Sequence, residues 1–479
     1  MCLYSHFFGC PQWCGVRFFP GCTGTSTGDP ISPYLFVLVM ELWHSLLHQR
    51  VQTANQFQYH WKCKELGLLN LCFADDVLLF CKGTVQSVRV FKDALAEFAV
   101  LSGLRVSPMK SQIILSRSCH GERQQILDVM GFQEGTLPIK YLGVPLVSSR
   151  LSVADCQPLI QKVDRRLAGW NQLSLSFAGR VQLIKSVLSS LHTYWASVFI
   201  LPKAVLKVIE ERMRSFLWKG ASGSGVAKVA WEQICRPKKE GGLGIKRVCL
   251  RTHFFMRCCG TGLRTAVRCG HPSSLLPGES DAILWKFNSG CFSTAAALAL
   301  LQPPSPLVSW TGLLEGCFKI PRHGFILWLA IKERLSTMDR PWFGQQGADC
   351  VLCNDASAES HSHLFFNCVY SRRCLAVLEF SVRFKWPGFD WQLGILWASR
   401  RWRGAHLLNV ASRSLLASVV YHLWLERNNR RFKATATSAE SVALRAIEDV
   451  RLRILSSDIK PSLQAQTLYR IWRIPWYFN

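Results

Sequence analysis

The sequence predicts an α+β chain of several units, on three observations. Between Asp29 and about Ser116, strand-like apolar runs flank a turn at Asp75 and Asp76 and lie between helix-like stretches. From Ala154 to Lys219 the apolar spacing settles into the helical period through three successive segments. Between Cys350 and Cys368, four cysteine and histidine residues stand at metal-ligand spacing. A chain of 479 residues, 49% of them hydrophobic, is long enough to bury a large core divided among domains.

Taken in order, a helix follows Pro33, a strand-turn-strand occupies Leu71 to Phe80, and a second helix runs from Val88 to Leu101. Three amphipathic helices follow, with stripes at Leu159, Val163 and Leu167, at Val181, Ile184, Val187 and Leu191, and at Val205, Ile209, Met213 and Phe216. Lys203, Lys207, Arg212, Arg214 and Lys219 surround the third stripe, as a phosphate-facing surface or as a solvated face. "GASGSG" from Gly220 and "QPPSP" from Gln302 read as linkers, with a poorly ordered connection between them. A compact unit follows from Trp310 to about Leu375, then a helical, Arg-rich region from Trp391 to Phe478. The expected divisions are 1–118, 119–235, 236–300, 301–378 and 379–479.

Lys and Arg number 57 against 31 Asp and Glu, a net charge of +26, which points to a polyanionic partner, RNA or DNA. Twenty cysteines suggest disulfides until their scatter is seen. The first residues, "MCLYSHFFGCPQWCGVRFFPGC", lack the basic then apolar order of a secretory signal, so the expected compartment is intracellular, nuclear or cytoplasmic. The cysteines are then thiols or metal ligands. "ISPYLFVLVMELWHSLL" is broken by Pro33 and Glu41, which argues against a membrane span.

The Asp75–Asp76 pair serves either as a solvated hairpin tip or as half of a cation site. Two carboxylates about 4 Å apart at an effective dielectric near 20 repel by roughly 4 kcal/mol, so crowding them calls for a counter-cation. Metal-assisted phosphoryl transfer uses such acids to hold Mg²⁺. "FADD" within "NLCFADDVLLF" resembles the catalytic box of reverse transcriptases, in the form carried by plant LINE-type (non-LTR) retrotransposons. Ordered neighbours share the resemblance: "GDPISPYLFVLVMELW" from Gly28, "SGLRVSPMKSQIILS" from Ser102, "LPIKYLGVPL" from Leu137, and "LAGWNQLSLSFAGRVQLIKSVLSSLHTYWASVFILP" from Leu167. The resemblance implies a partial palm, an α-helical thumb-like region and RNA-directed DNA synthesis. It makes Asp75 and Asp76 the Mg²⁺ ligands and puts Lys110 beside an incoming triphosphate. Gly28 falls in the glycine turn before the box, and Tyr141, Leu142 and Gly143 become primer contacts. Arg212 and Arg214 belong to the basic helix face described above.

Two departures limit that expectation. The family completes its metal cage with a third carboxylate upstream of the glycine turn, whereas residues 1 to 28 contain neither Asp nor Glu. Relatives usually read Gly-Leu-Arg-Gln-Gly-Asp-Pro where this chain has Gly24-Thr25-Ser26-Thr27-Gly28-Asp29-Pro30. A 5′-truncated polymerase, inactive alone, is the expectation.

"CVLCNDASAESHSHLFFNC" supplies Cys350, Cys353, His363 and Cys368 as C-x2-C-x9-H-x4-C, a Cys₃His set for a structural, tetrahedral zinc ion. His361 competes with His363 for the third position. Leu364, Phe365 and Phe366 are expected to pack beneath the metal. With "KIPRHGFILWLAIKERLSTMDRPWFG" before it, this stretch is similar to the zinc-binding domain at the C-terminus of plant LINE reverse transcriptases. "EGGLGIKRV" lacks a third spaced glycine and is no phosphate cradle. Two readings stay open: a degenerate polymerase that retains zinc and nucleic-acid binding, and a non-catalytic zinc-containing module that binds RNA or DNA.

Overall fold

A computed structural model describes residues 2–8, 30–116, 121–171, 173–220, 225–248, 305–339, 349–353, 357–388 and 390–475. Gly28 and most of the expected 236–300 connection lie outside the described residues. The chain forms two compact units, Met1–Arg150 and Leu151–Asn479.

The first unit is a sheet covered by helices. Strand β1 (Cys2–Phe8) is followed by α1 (Ser32–Thr53), β2 (Asn70–Phe73), β3 (Asp76–Phe80), α2 (Val85–Ser102), β4 (Arg105–Val106), β5 (Gln112–Ile114), α3 (Arg123–Met130) and β6 (Gln133–Glu134). The sheet order is β2-β3-β1-β5-β6, with β4 also pairing β1. All pairings are antiparallel except β5 with β6. A separate antiparallel hairpin joins β7 (Ile139–Tyr141) to β8 (Val144–Leu146).

Local chemistry explains the boundaries. Pro33 pre-sets the first turn of α1, where its missing N–H costs nothing. Thr84 caps α2 by accepting from the Ser87 N–H, and Gly103 ends it at φ +75°. One stripe of each helix then meets one face of the sheet. Trp43 from α1 and Phe91 and Phe98 from α2 are fully buried, Trp43 and Phe98 packing edge to face with centroids 5.4 Å apart. Val77 and Leu79 of β3 enter this core, while the alternating Leu78, also buried, faces away.

The second unit is helical in its described residues. The segment α4 (Gln157–Asn171) packs Leu159, Val163 and Leu167 inward, as its period predicts. Next come α5 (Phe177–Leu183), a π-helical turn (Ile184–Leu188), α6 (Ser189–Leu191), α7 (Thr193–Val198) and α8 (Lys203–Trp218). Here one stripe shifts. Val181 and Ile184 are buried, but Leu188 and Ser189 take the inward place expected for Val187 and Leu191. The buried positions Val181, Ile184 and Leu188 keep the ordinary i, i+3, i+7 spacing of a helix face, so the inward line runs through Leu188 rather than Val187. In α8 the stripe Val205, Ile209, Met213 and Phe216 is buried as expected.

After α9 (Trp231–Cys235) come α10 (Pro321–Ile331), a π turn at His363–Asn367, α11 (Val369–Val382), α12 (Trp391–Arg401), α13 (Leu407–Lys433), α14 (Ala439–Leu455) and α15 (Leu463–Trp472). Phe177 of α5 stacks on Phe325 of α10 at 5.4 Å, and the Trp328 indole donates to the Gly241 carbonyl at 3.0 Å. The 27-residue α13 is buried along most of its length and packs against α10 and α14. Among the described residues no helix is long and apolar enough to cross a membrane.

Candidate functional site

The Asp75–Asp76 pair stands at the tip of the β2–β3 hairpin. Phe73 pairs with Asp76, which leaves Ala74 and Asp75 as a two-residue turn with Ala74 at φ +51°. A non-glycine residue in the left-handed region marks a backbone held by its surroundings. Asp75 is exposed and Asp76 half-buried as the first residue of β3. The strand on the other side of β3 is β1, where His6 occupies the register position opposite Asp76. Strand β1, Cys2–Phe8, contains no acidic residue. Among the described residues the pair belongs to no group of three or more convergent metal-ligating side chains. A two-metal cage therefore does not fit the residues described here.

The other polymerase-like positions are distributed. Lys110 is exposed on a short 3₁₀ turn, Pro108–Lys110. Tyr141 and Val144 pair across a two-residue turn whose central residues, Leu142 and Gly143, both have positive φ (+49° and +83°), the backbone a tight hairpin requires. Arg212 and Arg214 lie on the exposed face of α8, where the Arg212 guanidinium pairs with Asp164 at 3.0 Å across two exposed side chains.

The cysteine and histidine residues converge. Cys350, Cys353, His363 and Cys368 offer four ligand atoms within 4.8 Å of one another. The Cys350 and Cys368 sulfurs are 4.0 Å apart, and the Cys353 sulfur lies 3.4 Å from His363 Nε2. Zinc bonds of about 2.3 Å to sulfur and 2.0–2.1 Å to nitrogen give tetrahedral edges of about 3.8 Å between sulfurs and about 3.6 Å between sulfur and nitrogen. The donor set and its spacing fit zinc. The buried Cys350 thiol is pushed well up, first by its hydrogen bond with Cys368 and then by burial, while Cys368 is pushed down by the same bond. Two thiolates so close need a cation between them.

The fold presents these ligands by two devices. A bridge between Asp349 and Ala358, with the Cys350 N–H donating to the Ser357 carbonyl at 2.9 Å, fixes the CxxC knuckle. The π turn fixes His363 and delivers Cys368, whose N–H donates to the His363 carbonyl at 2.7 Å. Leu364, Phe365 and Phe366 are buried beneath, as expected. The converging set contains His363 and not His361, whose ring packs against Phe365 and Trp391 with centroids 4.9 and 5.0 Å away.

Sequence reasoning missed the support for this knuckle. Arg430 donates to the Val351 and Leu352 carbonyls at 3.3 and 2.9 Å, to the Thr437 carbonyl at 3.0 Å and to Glu426 at 2.8 Å, and its guanidinium lies over the Tyr370 ring. Beside it, Arg427 forms a buried fork on Glu359, with contacts of 2.6, 3.1 and 3.2 Å. The segment "YHLWLERNNRRF" thus spends two of its arginines inside the protein. Glu426 and the arginines that follow the apolar run of α13 were the available signal, because such charges are buried only in pairs.

Comparison with known proteins agrees with both regions. Residues 3–146 match the family "Reverse transcriptase (RNA-dependent DNA polymerase)", and residues 292–374 match "zinc-binding in reverse transcriptase". Together they support a reverse transcriptase family. The first match contains the FADD hairpin and the β7–β8 hairpin, and the second contains all four cluster ligands. An Arabidopsis thaliana protein named as a ribonuclease H protein is 37% identical over 108 residues, 22% of this chain. The chain spans 17% of the length of that relative.

Proposed function

We propose that the chain is a nucleic-acid-binding member of the plant LINE-type, non-LTR class of reverse transcriptases, unable to polymerise by itself. The observation that carries this is the strand beside the FADD tip: at the position opposite Asp76 it offers His6, and along its length no carboxylate. Two adjacent aspartates can attract a divalent ion but cannot hold two Mg²⁺ ions for in-line displacement. Binding is a separate property. A net charge of +26 and the exposed arginines of α8 supply phosphate contacts to RNA or DNA, and the zinc knuckle supplies a folded scaffold rather than chemistry.

Primer extension on an RNA template with Mg²⁺ or Mn²⁺ tests the first half of the reading. No extension is expected from the full chain. Incorporation that disappears in Asp75→Ala would overturn it, since a working cage would then exist. Filter binding of labelled RNA tests the second half, and affinity independent of salt would remove the phosphate contacts.

A further inference from the structure

Apart from the cysteine cluster, one other group of metal-ligating side chains converges among the described residues, and nothing in the family matches accounts for it. His323 from α10, His422 from α13 and Asp449 from α14 bring two imidazoles and one carboxylate together within 4.8 Å. Both imidazole Nε2 atoms face the same oxygen, Asp449 Oδ2, at 3.3 Å from His323 and 2.9 Å from His422. His323 is fully buried and stacked on Tyr421, with centroids 4.3 Å apart. Three helices of one core thus fix the three donors.

The hydrogen bonding specifies the charge that this cluster requires. Arg322 Nε lies 3.2 Å from His323 Nε2, and because a guanidinium only donates, that nitrogen must accept. Its lone pair therefore sits 3.3 Å from a carboxylate oxygen, an arrangement of two acceptors that is stable only with positive charge alongside. Arg322 now provides it, donating also to Asp449 Oδ2 at 3.4 Å and resting over Tyr421. Its side chain is 51% exposed. Nitrogen and oxygen donors bound at about 2.0–2.2 Å have tetrahedral edges near 3.4 Å, which the 3.3 Å His323 contact meets and the 2.9 Å His422 hydrogen bond reaches by lengthening about 0.5 Å.

We propose that His323, His422 and Asp449 form a second metal site, for a divalent transition ion of the zinc class, and that Arg322 fills the cation position until an ion displaces it. On loading, His422 Nε2 gives up its proton, which moves to Nδ1 through solvent, and His323 already presents its lone pair. Two imidazoles and one carboxylate leave a coordination position open toward the side vacated by Arg322, in contrast to the closed Cys₃His cluster.

Cobalt(II) titrated into the metal-free full chain distinguishes the two sites. The Cys₃His cluster gives an intense thiolate-to-cobalt charge-transfer band. The site proposed here gives a further equivalent of bound cobalt with weak visible bands and no charge transfer. Asp449→Asn should abolish that charge-transfer-free equivalent and leave the other intact. Arg322→Ala, at a half-exposed side chain, should tighten it by roughly tenfold or more, because a like charge leaves the site. Absence of the charge-transfer-free equivalent in the wild type, or its survival in Asp449→Asn, overturns the proposal. If Asp449→Asn does not fold, Arg322→Ala decides alone, and unchanged affinity overturns it.

Discussion

The buried Glu359–Arg427 pair should behave as structure, and breaking it should be costly. Arg427 is 2% exposed and Glu359 1%, so each charge depends on the other rather than on water. Glu359 has one further donor among these contacts, the Met338 N–H at 3.1 Å, while Arg427 also reaches Asn428 at 3.0 Å and lies over the Trp424 ring. Arg427→Met would strand a carboxylate with a single neutral hydrogen bond, at a cost of about 3–5 kcal/mol. Pairing it with Glu359→Met removes both charges and should recover most of that loss, because apolar side chains of similar volume often replace a buried ion pair without net cost. Urea midpoints followed by tryptophan fluorescence, with the four chains compared as a double-mutant cycle, give the coupling. A coupling below about 1 kcal/mol, the range of exposed pairs, would refute the burial argument. So would a folded Arg427→Met chain whose only defect was weaker RNA binding, because the arginine would then face phosphate and not Glu359.

Cys350→Ser should lose one equivalent of zinc by metal analysis and lower stability sharply, since structural zinc contributes on the order of 10 kcal/mol to small zinc units. Arg430→Ala should keep the zinc but loosen the knuckle, leaving the Val351 and Leu352 carbonyls uncapped; faster amide exchange at residues 350–353 is the readout. Lys185 is pushed down to about 8, first by burial and then by Lys238 and Lys319, so between pH 8 and 10.5 the folded chain binds fewer protons than the unfolded chain and stability rises with pH. Lys185→Met should flatten that rise relative to wild type and stabilise the chain at pH 7 by on the order of 1 kcal/mol, measured by urea midpoints at each pH. Arg214→Gln should lower the slope of log K against log salt by about 0.9 on duplex DNA, with Asp75→Ala leaving the slope unchanged.

How far the sequence could be read follows from where each feature stores its information. The FADD hairpin, the apolar stripes of α4 and α8 and the Cys₃His spacing are local, so a few neighbouring residues specify them. The stripe after Ile184 was ambiguous in sequence, because apolar Val187 and Leu188 are adjacent and only packing chooses Leu188 for the buried face. Which of His361 and His363 converges with the cysteines was equally hidden: both lie near the knuckle in sequence, and only the fold places His363 among the three sulfurs and His361 against Trp391.

The arginines carry the larger lesson. Counted from composition, every one contributes to a basic surface, yet Arg427 and Arg430 are used internally, on Glu359, Glu426 and the knuckle carbonyls. The number of arginines therefore overstates the phosphate-binding surface of the region around α13, whereas net charge, which already counts Glu359 and Glu426, does not. The metal unit packs Phe365 and Phe366 against Trp391, while the Val351 and Leu352 carbonyls of its knuckle still need donors, and a guanidinium, with five donors in a fixed plane, is the side chain that can cap several of them at once. The arginines left facing solvent are those on amphipathic surface helices such as α8, where the partner of Arg212 is an exposed aspartate that water can replace.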